Sequence, residues 1–179
     1  MKRLLFLTLA AILFLPIFTF AQNTPSPYAG QEQRAIKALL PQDIKMYLEG
    51  HGMGFAKAAE LNHYPGPRHV LDLAAELQLS HAQFTQTQKI YDKMHNDAVR
   101  LGKHIVEKEK QLDSLYAAQK ISEAQLRAMV GEIAKWQGEL RVAHLNAHLE
   151  MKKNLTAKQV AKYDELRGYG KNTAQPGKH

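Results

Sequence analysis

LSHAQFTQTQKIYDKMHNDAVRLGKHIVEKEKQLDSLY, residues 79–116, runs without proline and keeps one helical period from end to end. Phe84, Tyr91, Ala98, Ile105 and Leu112 recur every seven residues, and Met94, Leu101 and Leu115 fill the intermediate position, an a/d seam interrupted only by Thr87 and Lys108. At 1.5 Å per residue such a helix is roughly 55 Å long. No small globule covers a stripe of that length, so a second helix of similar length must.

The start of this helix is written locally. Leu79-Ser80-His81-Ala82-Gln83 places a serine at the N-cap, with Gln83 three residues on to reach back to the cap amide. The device returns as Ile121-Ser122-Glu123-Ala124-Gln125 and as Leu155-Thr156-Ala157-Lys158-Gln159. Phe84, Leu126 and Val160 follow the three glutamines and can staple onto the residue before each cap. Three helix starts are therefore expected after residue 78. The second long helix, from Ser122 to about Lys153, carries Leu126, Ile133, Leu140 and Ala147 with Met129, Trp136 and Ala143 between them. The short connection at Gln119-Lys120-Ile121 makes the two helices antiparallel neighbours. A last short helix runs from Thr156 to Arg167 with Val160, Tyr163 and Leu166 on its apolar face.

Upstream the pattern is shorter and more broken. Residues 31–40 read as helical, and Pro41-Gln42-Asp43 restarts a helix with proline at a first position. Gly50-His51-Gly52-Met53-Gly54 interrupts it, because glycine costs about 1 kcal/mol per residue inside a helix. Without a preceding strand, these glycines are no dinucleotide fingerprint. A helix over 55–63 follows, Tyr64-Pro65-Gly66-Pro67 ends it, and another is expected over 68–78. The fold class is all-α: a long antiparallel helical hairpin, short N-terminal helices folded back over it, and a short C-terminal helix. A hairpin buries less than a sphere of equal length, which points to a homodimer.

Residues 1–21 have the layout of a secretory signal peptide: Lys2 and Arg3, an apolar run, then Thr19-Phe20-Ala21 before Gln22. Left uncleaved the run is nearly long enough to anchor the chain in a membrane. Residues 22–30 read as a flexible leader, 31–169 as one helical domain and 170–179 as a disordered tail. The absence of cysteine excludes disulfides, lipid attachment and iron–sulfur ligation. Export without disulfides suits a bacterial periplasm. The formal charge of +7 falls to +5 without Lys2 and Arg3, leaving 22 basic against 17 acidic residues. That charge is spread out rather than striped, which argues against nucleic acid.

The residues best suited to chemistry are His144, His148 and Met151. Offsets of four and seven align them on one helix stripe, beside the apolar seam, where two imidazoles a turn apart can share a metal and a thioether would favour copper over zinc. The plain alternative is a set of interfacial residues covering a hairpin edge. Further ligands would come from the short helices: Glu60 and His63 on one face, His69 beyond the Pro-Gly-Pro turn, and His51 and Met53 in the glycine-rich break. His81, His95 and His104 read as solvated. No nucleophilic cysteine, G-x-S-x-G elbow or HExxH helix is present, so an enzyme is not expected.

With LSHAQ opening one helix and LTAKQ opening another, the chain resembles the Spy/CpxP superfamily, whose hallmark is a twice-occurring L-T-x-x-Q motif. Leu79, Ser80 and Gln83 match it with serine for threonine; Leu155, Thr156 and Gln159 match fully. GHGMGFAKAAELNHYPGPRHVLDLAAEL (50–77), together with HLNAHLEM (144–151), resembles the branch of periplasmic heavy-metal sensors and resistance proteins related to CnrX and ZraP. The likeness extends over residues 28–169.

The resemblance implies a hooked helical hairpin in the periplasm. Sensors of the CnrX type bind nickel or cobalt through histidines and a glutamate from early helices plus a His and a Met one turn apart on a later helix. Here His148 stands where that pattern has Met, and the early HxxxH is missing. Three functions follow as expectations. One is a metal-responsive periplasmic stress protein binding Cu, Ni, Co or Zn. Another is an ATP-independent holdase for unfolded-protein clients, of the Spy type. The third is a helical adaptor for a membrane-bound signalling or efflux partner.

Overall fold

The computed structural model describes residues 25–169. The expected signal segment and tail lie outside these residues. Residues 25–32 belong to a unit of their own and form turns and irregular backbone; in the unit that begins at Gln33 the regular elements among the described residues are all helices. Its elements are α1 (Pro41–Leu48), α2 (Lys57–Glu60), α3 (Pro67–Asp72), α4 (His81–Ala117), α5 (Glu123–Asn154) and α6 (Ala157–Leu166).

All three capping boxes form. Ser80, Ser122 and Thr156 each accept from the backbone N–H three residues on, and the Gln side chain at that position accepts from the cap N–H. Each box satisfies two backbone donors that a bare helix start would leave open. α1 uses another device, with Pro41 at its first position and the Asp43 carboxylate accepting from the Leu40 N–H at 3.1 Å.

Cross-helix ion pairs join Lys93 to Glu150 (3.8 Å) and Lys108 to Glu132 (2.7 Å), one index rising as the other falls, so α4 and α5 are antiparallel. The buried stripe of α4 is Thr87, Ile90, Met94, Ala98, Leu101, Gly102 and Ile105. This departs from the strict heptad: Ile90 rather than Tyr91 is buried, and Phe84 is 42% exposed. An α-helix turns every 3.6 residues, so a seam counted every 3.5 drifts around the cylinder, and the spacing from 87 to 98 follows the straight helix. On α5, Met129, Ile133, Leu140 and Ala147 are buried, whereas Leu126, Trp136 and Ala143 are only half-buried.

Two apolar clusters hold the layers together. Tyr47 of α1 packs with Ala98, Leu101, Ile105 and Leu140 at mid-hairpin. Gly102 makes this possible, since a Cβ there would run into the Tyr47 carbonyl. The second cluster gathers Val70, Leu77, Ile90, Met94, Ala147, Met151, Leu155, Val160 and Tyr163 where α3, α4, α5 and α6 converge. Full burial of an aliphatic side chain such as Ile105 or Leu140 contributes roughly 1.5–3 kcal/mol.

The two motif glutamines meet at that end. Gln83 Nε2 donates to Gln159 Oε1 at 2.8 Å and Gln159 Nε2 donates back to Gln83 Oε1 at 3.1 Å. The same amides reach the Asn154 carbonyl (2.9 Å) and the Leu77 carbonyl (3.2 Å). Asn154 Nδ2 in turn donates to the Gln83 carbonyl and to Thr87 Oγ1. A glutamate would serve each capping box but has no proton to donate across the pair, and two of them would repel. The motif therefore needs glutamine twice because its copies bond to each other.

The short helices differ from the sequence expectation. Residues 31–40 form turns, with Ile36 buried and Lys37 bonded to Asp113 through both its N–H (3.2 Å) and its Nζ (3.1 Å). A segment of this length without a cap is marginal as a helix, and Pro41 forces Leu40 into an extended conformation. The helix expected over 55–63 contracts to α2, and that over 68–78 begins at Pro67 and ends at Asp72.

Candidate functional site

A cavity of about 620 Å³ opens between the glycine-rich break, α2, α3 and the facing sides of α4 and α5. Glu60, His69, His95, His144 and His148 all line it. Six of the eight residues expected as ligands are thus brought to one space, since His51 and Met53 of the glycine-rich break line it as well. The other two lie elsewhere. His63 is exposed, with its Nδ1 2.8 Å from Asp164 Oδ2, held off by a left-handed backbone (φ 64°) that turns the chain after α2. Met151 is fully buried in the apolar cluster at the motif end, where its sulfur serves packing.

α5 presents His144 and His148 on its buried side, at 3% and 7% exposure, rather than beside the seam as the heptad count suggested. The Pro65-Gly66-Pro67 turn is buried on this part of the molecule, and it supplies the cover. Gly66 allows the close approach: a Cβ there would stand 3.0 Å from His148 Cε1, 3.2 Å from its Nε2 and 3.4 Å from Glu60 Oε2, so a side chain would press on both groups.

The hydrogen bonds fix how these groups are presented. His148 Nδ1 lies 2.7 Å from the Tyr64 carbonyl. A carbonyl only accepts, so Nδ1 carries a proton, which leaves Nε2 as the ring nitrogen able to ligate a metal. Glu60 Oε1 accepts from Tyr163 OH at 2.6 Å, Tyr169 OH at 3.1 Å and Arg167 Nε at 3.4 Å. Its Oε2 is buried without a hydrogen-bond partner, 3.7 Å from His148 Nδ1.

His144 Nε2 is likewise buried and unpartnered, and its ring stacks at 6.0 Å on Phe55. Burial, with His148 and His95 nearby, lowers the His144 pKa to about 4, so the ring is neutral at ordinary pH. His69 is also shifted down, by burial and by the Arg167 charge. Among the described residues no three His, Asp or Glu side chains are already gathered as a coordination shell. Two buried polar atoms, Glu60 Oε2 and His144 Nε2, stand without partners on this cavity, which Lys57, Arg68 and Arg167 also line.

His95, read from sequence as solvated, stacks on Tyr91 at 5.6 Å and lines the cavity. Its ring nitrogen lies 3.1 Å from where a Cβ at Gly50 would stand. The signal was the glycine-rich break itself: residues without side chains allow a backbone to approach a ring closely. His104 does sit at the surface, stacked on Trp136 at 5.2 Å, and His81 is exposed at the start of α4.

Among the described residues no helix is long and apolar enough to cross a membrane. No curated protein and no solved structure matches the chain significantly. The model of LTXXQ motif family proteins matches residues 67–167, more than half of the chain. This span contains both capping boxes whose glutamines pair, together with α4, α5 and α6. The chain belongs to the LTXXQ motif family, the proteins of Spy/CpxP type.

Proposed function

We propose that this protein is a periplasmic, metal-responsive stress protein of Spy/CpxP type that takes up a late transition metal in the histidine-lined cavity. The observation that carries the reading is the pair of buried, unpartnered donors, Glu60 Oε2 and His144 Nε2, on the cavity that also holds His148 with its proton fixed on Nδ1. Burying polar atoms without partners costs roughly 1–3 kcal/mol each, a cost that a bound cation removes. His69 and His95 stand on the same cavity as further nitrogen donors. Met151 is sequestered in the core, and the imidazole and carboxylate groups on the cavity suit Ni(II), Co(II), Zn(II) or Cu(II), with Met53 the candidate thioether that lines it. The family's periplasmic setting and the signal-like residues 1–21 support the location.

The test is calorimetric titration of the purified protein with each of the four ions, beside His144→Ala/His148→Ala and Glu60→Gln. Binding at simple stoichiometry that the double variant loses supports the reading; equal binding by the double variant sinks it.

The holdase reading has its own supporting observation. Val142 and Leu149, seven residues apart on one side of α5, stand 53% and 47% exposed, apolar side chains open to unfolding clients. It expects suppression of client aggregation without metal, and the same activity in His144→Ala/His148→Ala. Metal uptake and client binding use different faces, so both can hold in one molecule.

A further inference from the structure

We propose that Tyr163 and Tyr169 are positioning residues for the metal site, so that loading of the cavity and docking of the C-terminal helix are one coupled event. This rests on the metal reading of the same cavity and extends it to the C-terminal helix and the turn after it, of which Tyr163 lies behind the cavity wall and Tyr169 on it.

The asymmetry of Glu60 is the starting point. All three donors to its carboxylate act on Oε1, and all three come from α6 and the turn after it: Tyr163, Arg167 and Tyr169. Oε2 has no donor although it is buried. A carboxylate serving only to hold α6 would share its donors between both oxygens, or leave the spare one in water. Here one oxygen is saturated and the other kept bare beside His148, a presentation suited to one-point coordination of a cation.

The donors are themselves fixed. Tyr163 is fully buried and its hydroxyl also accepts from the Gly66 N–H at 3.3 Å, tying it to the turn against which the His148 ring lies. Tyr169 lies beneath the Arg167 guanidinium, 5.8 Å from ring centroid to charge. Glu60 closes the four-residue α2, which by itself has too little structure to aim a side chain. The aim therefore comes from the C-terminal helix. Outer partners of this kind typically change metal affinity 10- to 100-fold. By thermodynamic linkage, a helix contact that strengthens metal binding by some factor is strengthened by the metal in equal measure.

Co(II) is the probe, because its visible absorption reports the ligand set as well as occupancy. Tyr169→Phe removes one donor at the periphery and Tyr163→Phe one in the core. Tyr169→Phe is expected to bind Co(II) about tenfold more weakly with the parent's spectrum and an unchanged metal-free melting temperature. In a Glu60→Gln background the same substitution should change nothing further. Amide exchange in residues 163–169 should slow about tenfold on loading the parent.

Parent-like affinity in both tyrosine variants, or an equal loss in the Glu60→Gln background, overturns the coupling and leaves the metal site standing. Unchanged exchange on loading overturns it too. A parent that takes up none of Co(II), Ni(II), Zn(II) or Cu(II) overturns both readings at once.

Discussion

The two ends of the hairpin are built from the same helices and differ in what covers them. At the motif end, α4 and α5 pack on each other and are also clad by α3, α6 and the Pro-Gly-Pro turn, so that even polar groups such as Thr87, His144 and His148 are buried. At the tip, no second layer of helix among the described residues covers α4 and α5, and Lys37 reaches them only through polar contacts to Asp113. Leu112, Leu115 and Leu126 stay half-buried, and an open groove of about 450 Å³ runs beside Leu115 and Met129. A two-helix ribbon gives each helix one dry stripe, whereas a cavity with dry polar walls needs a second layer. The candidate site therefore sits where the short N-terminal helices fold back.

The sharpest way to break this contrast is to remove equivalent bulk at both ends. Met151→Ala in the clad end is expected to cost about 3 kcal/mol, within the usual range for a buried large-to-small change. Leu115→Ala at the tip should cost less than about 1 kcal/mol, because the side chain is already half in water. Urea midpoints of the two variants give the comparison, and similar losses would show that the tip is covered in solution. Met151→Leu should retain metal binding, which separates packing from ligation at this residue.

Acid should act on the clad end alone. The His144 pKa is about 4 folded against an ordinary 6.5, so between these values the unfolded chain binds the proton and the folded one does not. Stability supported by this group is complete above about pH 6.5 and is lost as pH falls towards 4, by up to about 3 kcal/mol before allowing for partial solvent screening. Urea midpoints measured from pH 7 to pH 4 should fall in the parent and fall less in His144→Gln. Parallel curves would show the ring to be solvated.

Gln159→Glu is the next smaller perturbation. It keeps the capping box but deletes the donor to Leu77 and Gln83 and sets a charge beside the partner amide, for a loss of about 2 kcal/mol. At the other end, Ser122→Ala breaks the same kind of box where no partner motif exists. It should cost about 1 kcal/mol, the cap alone. Equal losses from the two changes would mean that the pairing of glutamines adds nothing.

Local signals in the sequence located the three later helix starts, because a cap is a contact among residues three apart. The hairpin followed from the length of two apolar stripes and a short connection. The exact stripe did not: the choice between Ile90 and Tyr91 depends on accumulated rotation over many turns, which a seven-residue count misstates. Residues 31–40 looked helical by pattern, but Ile36 and Lys37 are instead used for contacts, Lys37 with Asp113 far along the chain.

At the cavity, His144 and His148 could be singled out by spacing, since both ride on one helix. Their union with Glu60 and His69 depends on how a four-residue helix and a proline turn fold back, which no period encodes. His63 and Met151 shared helix segments with true neighbours of the cavity yet point to Asp164 and to the core. His95 was overlooked because what approaches it comes from the distant glycine-rich break.

The pairing of Gln83 with Gln159 spans 76 residues, and this sets an order of events during synthesis. The first glutamine leaves the ribosome with its own cap to occupy it but with its cross-partner still unmade, and at roughly 5–20 residues per second the wait lasts several seconds. Throughout that interval the start of α4 is a finished helix end with an open seat beside it. The seat fills only once residues 155–159 exist, so the latch that closes the fold comes after both long helices are complete.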